Sequence, residues 1–423
     1  MLTETIRHNF LAILAEELIP AMGCTEPIAL AYAAAKGREA LGGLPERIAV
    51  FCSGNMIKNV RCVRIPNSGG MTGIEAACTL GALAGDADRF MEVLEAVTDD
   101  GRRDTAAFLA EQRCSVSYLE SPIPLHFLIH LYRASDEVTV EVRHSHTNIV
   151  KIAKNGEILF QIDDTAVPEL QADRSGLSIE NIFAFAEEID LDAIRPFAKR
   201  QIDCNMAIAE RGLQGGFGVG IGQAILALYP DHPFAKARAY AAAASEARMD
   251  GCDLPVIITS GSGNQGITST VPVIVYAREK GIDDDRLTRA LAFSALLTVY
   301  QKEYIGKLSA FCGAVSAACA AGAAITYMVG GSITQIEATI DNTLADIPGI
   351  ICDGAKASCA AKISSAIDAA LFAHVLAMQG KVYESNTGIL RSETGETISC
   401  VGHIGRVGMQ PTDAEIVKMM LRT

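Results

Sequence analysis

Residues 137–161 read EVTVEVRHSHTNIVKIAKNGEILFQ. Apolar and polar side chains alternate before RHSHTN, after it, and again across KNGE. A period of two sends one row of side chains to a core and the other to solvent, which is the pattern of a half-buried strand. Asn-Gly between two such runs signals a tight hairpin turn. With CSVSYLE (114–120) and LHFLIHLYRA (125–134) ahead of it, the stretch predicts an antiparallel sheet over 114–161.

Upstream of that sheet, residues 4–20 and 25–41 have helical periodicity, RIAVFCSG (47–54) and VRCVRIP (60–66) read as strands, and 73–84 reads as a helix. Downstream of the polar stretch 162–178 the period changes. Helical runs follow at 179–189, 192–211, 219–228, 233–248, 285–300, 308–330, 333–346 and 359–379. Only PVIITSGSGNQGITSTVPVIVYARE (255–279) breaks the series, with a glycine-rich loop between two apolar stretches. The expected fold class is α+β: a mixed helix and antiparallel-sheet lobe over 1–178, then a mostly helical lobe over 179–423 around a buried central helix.

The chain has 423 residues, enough for a substantial core without staples. Its 36 Lys and Arg against 50 Asp and Glu give a net charge of -14, and no basic stripe interrupts the acidic balance. That argues against a nucleic-acid or anionic-membrane surface and favours a small-molecule partner. The first residues, MLTETIRHNFLAILAEELIPAMG, carry acids inside an apolar run and lack the basic n-region of a signal peptide, so a cytoplasmic setting is expected. Residues 308–331 are nearly uncharged but built from Ala, Gly, Ser and Cys, which suits a central helix closely approached by others better than a membrane span.

Twelve cysteines without dense, regular spacing do not form a disulfide scaffold. Four lie in motif-like contexts: Cys24 in AMGCTEP, Cys312 in SAFCGAV, and Cys352 and Cys359 in IICDGAKASCA. The absence of a CxxC pair argues against a zinc ribbon or a thioredoxin-like site. Cysteines distant in sequence are still able to hold an iron-sulfur centre, and three thiolates leave one iron open as a Lewis acid. The loop SGSGNQG (260–266) offers backbone N–H groups together with Ser260, Ser262, Asn264 and Gln265, a set able to bind a carboxylate or phosphate, although such loops are also plain turns. In RHSHTNI (143–149), His146 is a proton-transfer candidate with Asn148 beside it. Lys302, Glu303 and Lys307 read as a solvated helix end, with Lys307 placed to face a substrate carboxylate.

The collinear set GCTEPIALA (23–31), GNMIKN (54–59), HTNIV (146–150), SGSGNQGIT (260–268), KLSAFCGA (307–314) and ICDGAKASCA (351–360) resembles the L-cysteine desulfidase family, related to the α-chain of iron-sulfur L-serine dehydratases. The resemblance implies a 4Fe-4S cluster held by Cys24, Cys312 and Cys352, with Cys359 left to packing or a supporting layer. It also implies α,β-elimination of L-cysteine to hydrogen sulfide, pyruvate and ammonia. Asn148, Ser260, Ser262, Asn264 and Gln265 become substrate-binding candidates and His146 and Lys307 catalytic ones. An iron-sulfur L-serine dehydratase, a noncatalytic amino-acid-binding protein and a structural zinc site are the competing readings, and a homo-oligomer is left open.

Overall fold

The computed structural model describes residues 2–162, 172–306 and 309–421. It is a mixed α+β protein with its sheet in the N-terminal half and helices in the C-terminal part. Six strands lie in the spatial order Cys114–Tyr118, Arg47–Cys52, His126–Arg133, Asp136–Arg143, Ile149–Lys154, Glu157–Gln161. The first pair is parallel, which the sequence pattern does not reveal, and all others are antiparallel. The last hairpin turns at Asn155 and Gly156, both with positive φ (52° and 85°), as an Asn-Gly turn requires.

Helices Thr25–Leu41 and Gly73–Ala84 cover one face of this sheet. They cross so closely that a Cβ on Gly81 would lie 2.2 Å from the carbonyl oxygen of Ala31, so any side chain there would drive the helices apart. Ile28, Leu30, Val50, Phe127, Ile129 and Val140 fill the space between helices and sheet.

VRCVRIP is not a strand. Gly54–Val60 is a short helix burying Met56, Ile57 and Val60, and the chain then turns, with Arg64 and Thr72 forming only an isolated bridge. Val63 and Ile65 are buried as a strand's alternate residues would be, which is why so short an apolar run is ambiguous.

The second, larger core is helical and includes residues from both ends of the chain. Helix Glu4–Glu17 packs in it through Phe10, Ile13 and Leu14, with Phe10 edge-on to Phe185 at 5.4 Å. From there the chain enters a two-stranded ribbon in which Pro20–Met22 pairs antiparallel with Pro255–Ile257, and only then reaches the sheet-covering helices. The ribbon carries Cys24 to the boundary between the two cores. Helix Gly313–Met328 is buried from Ala314 to Met328, the central helix expected from its small side chains. Cys359–Met378 is the one described helix long and apolar enough to cross a membrane by length and composition, and 56% of its most apolar window is buried in the fold.

Candidate functional site

Between the two large cores sits a small third apolar cluster made of Cys24, Val63, Met249 and Cys359, with Ala355 against it. Its members come from four separate parts of the chain, and two are thiols.

Each thiol position is set by local backbone. Cys24 caps helix Thr25–Leu41 after Gly23, whose φ of +59° and contact with Pro66, 2.2 Å from a would-be Cβ, admit only glycine. Its Sγ lies 3.8 Å from Met249 Sδ. Cys312 caps helix Gly313–Met328, and Cys359 opens helix Cys359–Met378. Cys312 and Cys352 flank an antiparallel bridge between Phe311 and Ile351: Cys312 N donates to Ile350 O at 2.8 Å and Cys352 N to Ala310 O at 2.7 Å. Three helix N-termini therefore start at thiols, and their partial positive charge favours the thiolate form.

Electrostatics place the four thiols in one neighbourhood. Burial pushes Cys24 up to about 12, with Arg248 pulling it down and Glu26 and Cys359 adding to the rise. Burial likewise pushes Cys312 up to about 12, aided by Cys352 and Cys359. Burial also raises Cys359, against the Lys356 backbone hydrogen bond. Asp353 shapes the loop between Cys352 and Cys359: burial alone would raise its carboxyl, but hydrogen bonds from Lys356 and Lys362 outweigh it and hold it at about 2.

The substrate-binding candidates meet this neighbourhood from the other side. Thr25 Oγ1 donates to Gly261 O at 3.1 Å, tying GCTEP to SGSGNQG, while Asn59 Nδ2 donates to Glu26 Oε1 at 3.2 Å and brings in GNMIKN. His146 stands beside the same loop, its Cε1 3.7 Å from a would-be Cβ on Gly261. Asn148 holds the turn that carries His146, its Nδ2 donating to Arg143 O at 2.9 Å. Ser260 is buried with φ of 49°, and Ser262 caps helix Gly263–Lys280. Asn264 Oδ1 accepts from Ser245 Oγ and from Arg248 Nη1, both at 3.1 Å, and its Nδ2 points to Met249 Sδ at 3.6 Å. The Gln265 carboxamide lies over Gly313, 2.6 Å from a would-be Cβ, next to Cys312. Lys307 lies outside the described residues.

Two residues here escape a reading of sequence alone, and a third, Cys359, is seen there without its contact to Cys24. Arg248 and Lys302 are buried (3% and 5% exposed), and neither has a carboxylate partner among the described residues. Arg248 belongs to a run of alanines whose helix looks like plain core, and Lys302 to a charged helix end that looks solvated. Cys359 lies too far from Cys352 to form a CxxC pair, and only the fold brings it beside Cys24.

The side chains suit an anionic, thiolate-held group. Cys24, Cys312 and Cys359, raised by burial, do not ionise on their own near neutral pH, and a metal is what displaces such protons. Buried cations without carboxylate partners call for negative charge near them. Arg248 Nε, Thr259 Oγ1 and Gln265 Oε1 are buried polar atoms without hydrogen-bond partners, all in or against the SGSGNQG loop. Cys24, Cys312 and Cys352 would hold an iron-sulfur cluster here, although among the described residues no three His, Cys, Asp or Glu side chains are already drawn to ligating positions.

A protein of Lachnoclostridium phytofermentans named UPF0597 protein is 45% identical over 409 residues, covering 97% of this chain and 98% of the relative. One of the same name from Treponema denticola is 44% identical over 429 residues, covering 100% and 99%. The family model described as serine dehydratase alpha chain matches residues 88–418, and the chain belongs to that family.

Proposed function

We propose that this protein is an L-cysteine desulfidase that eliminates hydrogen sulfide from L-cysteine and uses a 4Fe-4S cluster. The observation that carries the reading is Cys24, delivered by the ribbon to Met249 and Cys359, which in turn acts on Cys312. The desulfidase resemblance calls for a ligand at that position.

The reaction breaks the Cα–H and Cβ–S bonds and leaves aminoacrylate and sulfide. Aminoacrylate tautomerises to the imine, and water converts that to pyruvate and ammonia. The cluster, when bound by Cys24, Cys312 and Cys352, supplies a Lewis acid for the departing sulfur. The chain's own groups supply the rest. Ser260, Ser262 and Gln265 bind the amino acid on the loop, and Asn264 with Arg248 holds that loop in shape. His146, beside Gly261, moves the proton. The raised pKa of Cys24 and Cys312 means that a metal must displace their protons, and a reducing, cytoplasmic setting keeps the thiols available.

The test is sulfide and pyruvate release from L-cysteine and pyruvate release from L-serine, measured anaerobically on one reconstituted batch. Higher kcat/KM for cysteine is expected, because thiolate leaves more readily than hydroxide and is a softer ligand for iron. The second reading, an L-serine dehydratase, is favoured by the family match itself. Faster turnover of serine would promote it.

A further inference from the structure

Helix Gly263–Lys280 starts at a buried glycine with no anion to meet it. Its cap, Ser262, makes no side-chain bond to the first turn, and no acid lies in that turn. The N–H groups of Gly263, Asn264 and Gln265 find no acceptor among the described residues. A helix start carries partial positive charge and draws an anion. Here a whole positive charge is added. Arg248 is 3% exposed, and its guanidinium lies against the first residue of the helix, Nε 2.3 Å and Cζ 2.6 Å from a would-be Cβ on Gly263. Glycine at 263 is what lets the cation come so close. Arg248 Nη1 donates to Asn264 Oδ1, but Nε is buried without a hydrogen-bond partner. The acids nearest to it in sequence are committed elsewhere: Glu246 accepts from the N–H groups of Val219, Gly220 and Ile221, and Asp250 pairs with Arg64. A buried guanidinium against a helix N-terminus is a repulsive arrangement until an anion joins it.

An α-amino acid suits the whole of this set. Its carboxylate offers two oxygens to a guanidinium and to backbone N–H groups. Its ammonium needs an acceptor, and two stand buried without partners: Gln265 Oε1 in the first turn of the same helix and Thr259 Oγ1 just ahead of it. Direct contacts join the helix start to the thiols. Asn264, which accepts from Arg248, points Nδ2 at Met249 Sδ 3.6 Å away, and Met249 Sδ lies 3.8 Å from Cys24 Sγ. Resting on the amino-acid lyase reading above, we infer that Arg248 and the first N–H groups of helix Gly263–Lys280 bind the carboxylate of the amino-acid substrate. The anchor is then the group that cysteine and serine share, and the choice between sulfur and oxygen falls to the metal side of the site.

The test titrates two probes by calorimetry into cluster-loaded protein under argon: L-alanine, which has no leaving group, and L-alaninamide, which has no carboxylate. Iron per chain is measured on each sample. Since a charge-assisted contact is at stake, the parent should bind the acid at least about tenfold more tightly than the amide. Arg248→Met should bind the two alike and keep its iron, and Arg248→Lys should regain part of the preference. Gly263→Ala keeps the charge but pushes a methyl into the guanidinium, so it should weaken the preference as well. Asn264→Ala removes the bond to Nη1 and keeps the cation, so its preference for the acid should survive. A parent indifferent to the carboxylate would overturn the site. So would an Arg248→Met that weakened acid and amide equally, because the arginine would then only shape the loop, or one that lost its iron, because the charge would then serve the cluster. Full preference in Gly263→Ala would remove the helix start from the proposal. A parent that prefers the acid but releases pyruvate from neither cysteine nor serine would sink the lyase reading and uphold the carboxylate site.

Discussion

Lys58 and Asp413 form a buried ion pair that fastens the C-terminal helix Gln410–Leu421 beneath the thiol loops. The lysine side chain is 0% exposed and the aspartate side chain 15%. The same lysine supports the site through its backbone: its carbonyl oxygen lies 2.1 Å from a would-be Cβ on Gly354, two residues after Cys352. Removing one charge leaves the other buried and unpaired, which typically costs about 3–5 kcal/mol. Asp413→Asn should therefore lower the melting temperature by several degrees, and Lys58→Met with Asp413→Leu should recover much of the loss. A single variant as stable as the parent would show the pair to be inert.

His374 makes stability depend on pH in a direction that can be worked out. Its Nδ1 meets Thr326 Oγ1 at 2.8 Å, Phe234 and Tyr276 pack edge-on against its ring, and burial pulls its pKa from 6.5 down to about 4. The unfolded chain takes up a proton near pH 6.5 that the folded chain refuses until about pH 4. Between those values the unfolded state binds more protons, so stability falls as pH falls, by about 3 kcal/mol across the window. Urea unfolding at a series of pH values should show a slope shallower by nearly one proton in His374→Asn. Parallel slopes would mean that His374 titrates alike in both states.

Much of the fold can be read from sequence where a run is long enough to show its period. The hairpins of 126–161 and the long helices are of this kind. The ribbon that carries Cys24 across to the helical core is not, because its strands are three residues each and have no period to detect. The motif cysteines declare themselves through their neighbours, glycine and aspartate. Arg248 and Lys302 do not, since both are buried without a carboxylate partner among the described residues, and Cys359, though noticed beside Cys352, meets Cys24 only in the fold. Burial without a partner is a tertiary property, and no local pattern encodes it.

His146 and Asn264 are expected to fail in different ways. His146→Ala should lower kcat more than it raises KM if the histidine moves a proton in the transition state. Asn264→Ala frees Arg248 and unties the loop from Met249, so it should chiefly raise KM. Steady-state kinetics on cluster-loaded protein separate the two, and equal effects on both constants in both variants would remove the distinction.

The four thiols around the third apolar cluster should not be equivalent. Cys24 is buried at the start of its helix, while Cys312 and Cys352, half-buried, are held by backbone hydrogen bonds across the Phe311–Ile351 bridge. Cys359 acts differently, because its Sγ donates to Gly354 O at 3.8 Å and so closes the loop that begins at Cys352. Cys24→Ala, Cys312→Ala and Cys352→Ala should each lose most bound iron and essentially all activity, because a removed thiolate is a removed metal bond. Cys359→Ala should keep its iron at first and lose it faster in air, as the loop loosens. Cys319→Ala, which empties a methyl-sized space in the helical core, should cost stability and leave iron content alone. Iron and labile sulfide assays under argon, repeated after timed exposure to air, distinguish these outcomes. If Cys359→Ala lost iron at once and Cys24→Ala kept it, the third ligand would be Cys359, and the main reason for preferring a desulfidase to a dehydratase would be gone.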